Sequence, residues 1–500
     1  MTATLLVPVV FAPLLGALAM YLVPGRGAWR AIAVSTGVVT LALSTLLAVW
    51  FDWRSGSLQF ETVFPWIPAL GASFHLGVDG ISLPLVLLTT LLTFLALLSS
   101  WRQEQRPREY FALFLVMETG LLGVFTTLDL LLFYLFWEVA IVPLYLIIGL
   151  WGYERRLEAA LKFFLYTRVS SLAMLLSILA LYLGMSPRTF DLVAIAAAQP
   201  YPGVGLVSSL ILLGFFIAFA IKLPVIPLHS WLPDAHTEAP TAGSVILAGL
   251  LLKMGGYGFL RLALPTVPQA FSAWSMWMAL LAVISAVYGA AVAMAQPDLK
   301  RLVAISSVNH MGYVLLAVAV AAALWANPAD RAAAISGAVY QMVAHGLATG
   351  GLFFLVGMLS GRTGTRQIDR LSGLWAALPL YGSILAFTMF ASLGLPALAH
   401  FAAEVQIVLG TLGTYSWAAG AMLLGVLITT AMFIWTLQRV LMGSLPARWE
   451  GLPGLTAHEL SVLAPLVLLI LLLGIVPGPL TGLVESAARF SPLAPLTSGR

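Results

Sequence analysis

The sequence predicts an all-α, polytopic membrane protein. Of its 500 residues, 61% are hydrophobic and only 9% are Asp, Glu, Lys or Arg; the mean hydropathy is +1.00. Soluble domains carry roughly 25% charged residues, so a soluble fold of this size would lack the polar surface to cover itself. Apolar runs of about 20 residues, the length that crosses a bilayer as a helix, recur along the chain to about residue 482. No soluble domain interrupts them, so residues 1–500 read as a single membrane domain.

Fourteen such segments are expected, at 4–22, 30–49, 78–100, 109–127, 129–150, 159–184, 206–230, 241–262, 272–294, 302–324, 333–358, 376–410, 416–440 and 461–482. The first has no basic stretch before it, so it reads as a span rather than a cleaved leader. Asp129 marks a tight turn that divides 109–150 into two helices. Basic residues alternate in density from loop to loop. The odd loops and their flanks hold Arg26, Arg30, Arg102, Arg106, Arg108, Arg155, Arg156, Lys162, Lys300, Arg301, Arg362, Arg366, Arg370, Arg439 and Arg448. The even loops hold Arg54, Arg188, Arg261 and Arg331. By the positive-inside rule the odd loops face the cytoplasm, which puts both termini on the far side of a cell inner membrane. Loop seven departs from the trend, with Asp234, His236 and Glu238 and no Lys or Arg.

Several chemistries are excluded. Cysteine is absent, so the chain has no disulfide, no thiolate-held iron–sulfur cluster and no thiol nucleophile. No Gly-x-Gly-x-x-Gly or Walker motif is present. His229 and His236 are spaced wrongly for a zinc pair on one helix face. A haem held by His310 and His345 would leave the neighbouring charges without a purpose. The net charge of +4 is spread over short loops rather than one stripe, which argues against nucleic acid.

The informative residues are ionisable groups inside apolar segments: Glu118, Glu138, Arg168, Lys222, Lys253, His310, His345 and Glu404. A charge at mid-bilayer costs at least a few kcal/mol on an isolated helix. Buried pairs that fix packing would account for some of them; an internal proton or ion path accounts for the set. Burial weakens a lysine's hold on its proton and a nearby carboxylate strengthens it, so a moving acid loads or unloads a lysine. Histidine titrates near neutrality and can bridge such groups, although a lone core histidine is often a structural donor.

Two segments are interrupted. Pro224 and Pro227 follow Lys222 and remove two helical donors within one turn, leaving carbonyls free beside the lysine. Ala391-Ser392-Leu393-Gly394-Leu395-Pro396 breaks the segment 376–410, two turns before Glu404. A broken helix at mid-membrane is how transporters build ion sites, and a break in each half suggests paired repeats. A simple proline kink is the alternative at the first. His400, between the second break and Glu404, either joins a water chain or caps the broken helix. Gly255, Gly256 and Gly258 beside Lys253 would let a second helix come close.

These residues carry a resemblance. Leu76 to Leu83, Phe136-Trp137-Glu138 with Pro143, Lys222 to Pro233, Asp234-Ala235-His236-Thr237-Glu238-Ala239-Pro240-Thr241 through to Lys253-Met254-Gly255, Ser306-Ser307 with His310-Met311-Gly312, and His345-Gly346 resemble the antiporter-like membrane subunits of respiratory complex I, the M (chain 4) type. The resemblance covers nearly the whole chain, and the His236–Lys253 stretch is its most specific part. It implies fourteen helices: three N-terminal ones in 1–108, two inverted five-helix repeats in 109–262 and 272–440 with one broken helix each, and a last helix and tail in 441–500. It implies site roles for Glu138, Lys222, Lys253, His310, His345 and Glu404, and a glutamate at 404 favours the M type over its sister types. It also implies no cofactor in this chain; NAD, FMN, iron–sulfur clusters and quinone belong to partner subunits. The expected partners are the sister antiporter-like subunits L and N, with lipid around them. One departure stands out: Ala397-Leu398-Ala399-His400 replaces a glycine-containing stretch.

The expected mechanism is a pump module. Glu138 and Lys222 form a switchable pair, and protons pass through Lys253, His310 and His345 to Glu404. Three other readings stay open at this point. One is a subunit of a multi-chain cation/proton antiporter. Another is the equivalent chain of a ferredoxin-driven, photosynthetic-type complex, which would sit in a thylakoid membrane. The last is a spacer that only joins membrane subunits.

Overall fold

A computed structural model describes residues 3–490. Among them are eleven helices long and apolar enough to cross a membrane, from Arg26–Trp50 to Ala457–Ile475. Four shorter apolar helices accompany them: Leu6–Leu22, Leu206–Lys222, Pro379–Ser392 and Ala399–Leu412. The chain is therefore a multi-pass, helical membrane protein. Its core is a set of helices apolar on every side, the pattern of an element enclosed by other helices. Thr241–Thr266 and Leu299–Ala322 are enclosed along their full apolar length, and Pro328–Thr363 nearly so. The outer helix Ala457–Ile475 turns most of its apolar surface outward.

The turn expected at Asp129 is present. Pro107–Thr126 ends there and Leu130–Trp151 begins, with the Asp129 carboxylate accepting from the Leu131 and Leu132 amides at 3.0 Å each. This satisfies donors that every helix N-terminus leaves free. Arg261, assigned above to an even loop, lies instead inside Thr241–Thr266 and is bonded to Asp79 at 2.5 Å. Both side chains are buried. The even loops are therefore poorer in basic residues than the sequence suggested.

One element was not foreseen. Between the second and third long segments, β1 (Gln59–Ile67) and β2 (Ala72–Val78) form an antiparallel hairpin. Thr62, Val63, Phe64, Trp66 and Ile67 favour a pleated strand, but hydropathy over 20-residue windows does not register a two-strand element. His75 of β2 fastens it. Its Nδ1 lies 2.6 Å from Asp191 and its Nε2 lies 2.8 Å from Glu61. Burial disfavours the imidazolium, but the Asp191 and Glu61 carboxylates outweigh it and raise the His75 pKa above 6.5. A raised folded-state pKa stabilises the fold fully below about pH 6.5, and that contribution fades as pH rises through the raised value. Thermal transitions of the purified protein should therefore fall between near-neutral and alkaline pH, and His75→Gln should flatten that slope.

Candidate functional site

The first interrupted helix is built around Lys222. Leu206–Lys222 stops ahead of Pro224 and Pro227, and the chain resumes as Trp231–Glu238. The span expected to reach residue 230 thus ends at the lysine, and part of the expected loop is a second short helix. Two of the carbonyls beside the break are satisfied. The Val225 amide donates to Ala220 O at 2.8 Å, and Trp231 Nε1 donates to Ile221 O at 2.9 Å. Such replacement donors are what allow a broken helix within a bilayer. The acidic second helix is anchored by Asp234, which accepts from Lys162 at 2.7 Å and Arg301 at 3.0 Å. These bases come from flanks of neighbouring loops, which explains why loop seven has none of its own.

Lys222 Nζ is buried and has no hydrogen-bond partner among the described residues. It lies 5.2 Å from the Phe163 ring centre and 5.7 Å from that of Trp137, within cation–π range. Glu138 does not pair with it directly. Its carboxylate is ion-paired with Arg168 of Arg156–Gly184. Lys222 lies within Coulombic reach of both. The expected pair is therefore a set of three. Arg168 was visible as a charge within an apolar segment, but its pairing with Glu138 was not read from the sequence.

Lys253 occupies the enclosed helix Thr241–Thr266, which widens into π turns at Leu247–Leu251 and Phe259–Ala263. π turns inside α-helices recur at functional sites. Here the widening offers Ala248 O to Lys253 Nζ at 2.6 Å. The same nitrogen lies 2.7 Å from His345 Nδ1. Gly255 brings this helix against the Lys222 break: a Cβ there would lie 2.6 Å from Phe219 O and 2.7 Å from the Leu223 amide nitrogen. The glycine is required for that approach.

His345 Nε2 is 3.0 Å from Ser307 Oγ, and the His345 and His310 ring centres are 5.5 Å apart. The Gln341 side-chain amide reaches His310 Nδ1 at 3.4 Å, a contact the sequence reading missed. Glu404 is buried in Ala399–Leu412, just beyond the second break. That break holds Gly394 at φ 79° and Ala397 at φ 69°. A Cβ at Gly394 would lie 3.2 Å from Glu404 Cδ, so glycine both permits the turn and leaves room for the acid. Alanine at 397 is strained in the left-handed region. Ala397→Gly should raise the thermal stability of the purified protein by on the order of 0.5–1 kcal/mol; an unchanged or lower transition would contradict the strain.

Lys253, His345 and His310 therefore form one contiguous buried row; the Lys253 helix packs at Gly255 against the Lys222 break, and Glu404 packs against Gly394 of the second break. Glu118 is buried but stands apart, with neither carboxylate oxygen hydrogen-bonded among the described residues. His236 was read as a loop residue; it is buried and stacked on Phe353 with ring centres 4.8 Å apart. Among the described residues no group of three or more His, Cys, Asp or Glu side chains is arranged to hold a metal ion.

Interrupted helices facing a buried row of ionisable side chains define the class: a membrane subunit with an antiporter-like fold, of the kind consistent with proton translocation coupled to redox chemistry elsewhere. The chain belongs to the NADH:quinone oxidoreductase/Mrp antiporter membrane family, whose profile matches residues 127–432. A second profile, described as the amino terminus of NADH-ubiquinone oxidoreductase chain 4, matches residues 13–128. NADH-quinone oxidoreductase subunit M of Rhodobacter capsulatus is 40% identical over 494 residues, covering 95% of this chain and 94% of that protein. A chain in the structure of respiratory complex I from Thermus thermophilus with bound NADH superimposes with a TM-score of 0.86 at 32% identity, covering 97% of this chain and 99% of that one. A chain of the Mrp complex from a Dietzia strain gives a TM-score of 0.83 at 19% identity over 98% and 97% of the two chains, which is a likeness of fold.

Proposed function

We propose that this chain moves protons across a cell inner membrane as an M-type subunit of an NADH–quinone oxidoreductase. The observation that carries the reading is the contact of Lys253 with His345, and of His345 with His310, in an interior flanked by two interrupted helices. A row of such groups is costly in lipid and has little value for packing alone.

The entry member is Lys222. Glu138 held by Arg168 leaves Lys222 without an acid; Glu138 swung toward Lys222 favours a proton there. Lys222 then passes its proton to Lys253, which hands it through His345 and His310 to Glu404 for release outside. The side chains of Glu138 and Arg168 are 17% and 32% exposed, although the Glu138 carboxylate oxygens themselves are buried, so a neighbouring subunit would act on the pair through the exposed parts of these side chains. NAD, FMN, the iron–sulfur clusters and quinone lie in partner chains, and the L and N sister subunits are the proposed neighbours. The proposed topology has fourteen crossings, repeats at 109–262 and 272–440, and both termini outside. A subunit of a cation/proton antiporter is the weaker reading, since the Mrp chain is only 19% identical.

The test is Lys222→Met in the assembled complex in sealed vesicles. The variant should assemble and lose proton pumping. Full pumping would end the relay.

A further inference from the structure

The second break carries a residue the proposed path does not use. His400 sits in the first turn of Ala399–Leu412 and is completely buried. Neither ring nitrogen has a hydrogen-bond partner among the described residues. A structural histidine in a core normally donates to something, and a buried polar group without a partner costs free energy. Nor does His400 cap its helix: the capping position is Leu398, and no side chain bonds there.

Its surroundings are specific. The His400 ring centre is 5.0 Å from that of His310 and 6.4 Å from that of His345. Three imidazoles from three separate helices therefore meet in one interior. His310 Nε2 also lacks a partner among the described residues. On the far side, Glu404 follows His400 by one helical turn, which puts both on the same face with Cβ atoms about 5–6 Å apart. Side chains on a helix lean toward its N-terminus, so Glu404 leans toward the turn that carries His400. The carboxylate's position against Gly394, in the break ahead of this helix, agrees with that direction.

We propose that His400 is a further proton-carrying residue of this path, receiving from His310 and delivering to Glu404. A proton on His310 moves to the free lone pair of one His400 nitrogen. The N–H proton on the other nitrogen moves to the Glu404 carboxylate. His310 and His400 are then neutral, Glu404 is a carboxylic acid, and His400 holds its proton on the opposite nitrogen. A ring turn or proton exchange restores the starting tautomer after Glu404 releases its proton. This assignment rests on the proposed proton-pumping function and adds the step at the second break.

The experiment uses the intact complex in sealed vesicles, with proton pumping and quinone reduction followed together. Three variants are compared with the wild type and Lys222→Met. His400→Gln keeps a polar side chain of similar reach but cannot exchange a proton. His400→Phe fills the site and excludes water. His400→Gly leaves room for water to enter. Proton-coupled turnover should fall at least about tenfold in His400→Gln and His400→Phe. His400→Gly should retain more than His400→Phe, because water replaces the ring. A packing role predicts the reverse order, since phenylalanine fills the space and glycine empties it; that order overturns the assignment. Full pumping by His400→Gln overturns it as well. If Lys222→Met also pumps fully, the proton-path reading has failed; if only the His400 variants pump fully, the step at His400 alone has failed.

Discussion

Asp79→Asn should destabilise the folded chain by about 3–5 kcal/mol, enough to deplete the assembled complex. Arg261 and Asp79 are 2% and 0% exposed, and the guanidinium donates to Asp79 Oδ1 at 2.5 Å. The same oxygen accepts from the Ile81 amide at 3.0 Å and the Ser82 amide at 3.2 Å, so the acid also shapes the entry to Ser82–Ser99. Removing its charge strands a cation that stays protonated at any accessible pH. Asp79→Asn combined with Arg261→Met should recover part of the loss, because an absent charge costs less than an unpaired one. The check is the amount of chain in the purified complex and its thermal transition. A single variant as stable as the wild type would mean that this pair is not stabilising.

Glu138→Gln should reduce proton-coupled turnover by at least about tenfold, a barrier increase of ~1.4 kcal/mol. The change leaves Lys222 beside the Arg168 cation with no acid between them, and nothing then draws a proton onto Lys222. Arg168→Met acts in the opposite sense. Glu138 loses its alternative partner and stays with Lys222, so the lysine holds its proton and delivery slows. Pumping and quinone reduction measured together in vesicles should show both variants impaired. Normal pumping by Arg168→Met would remove Arg168 from the set and restore a simple pair.

Much of this architecture was legible in the residues. Burying an apolar helix in lipid needs about 20 apolar residues in a row, and that signal is local. The turn at Asp129, the breaks after Lys222 and Ser392, and the ionisable groups of the buried row could all be found that way. What escaped were facts that depend on which helices are neighbours. Arg168 and Glu138 lie on consecutive helices, but nothing local says that they face each other. Arg261 looked like a loop charge because its partner, Asp79, is far away in sequence. The β1–β2 hairpin failed to register because its two short strands alternate in a pattern that wide hydropathy windows average out. The short helix Trp231–Glu238 read as a loop because its acid Asp234 is satisfied by Lys162 and Arg301 from elsewhere.

The central claim is that protons cross this chain between side chains buried in its interior. A structure of the whole complex that resolves individual waters tests it most directly. The account predicts an unbroken file of waters and side chains from Lys222 past Lys253, His345 and His310 to Glu404. Dry gaps lined only by apolar atoms, too wide for a proton to cross, would contradict it.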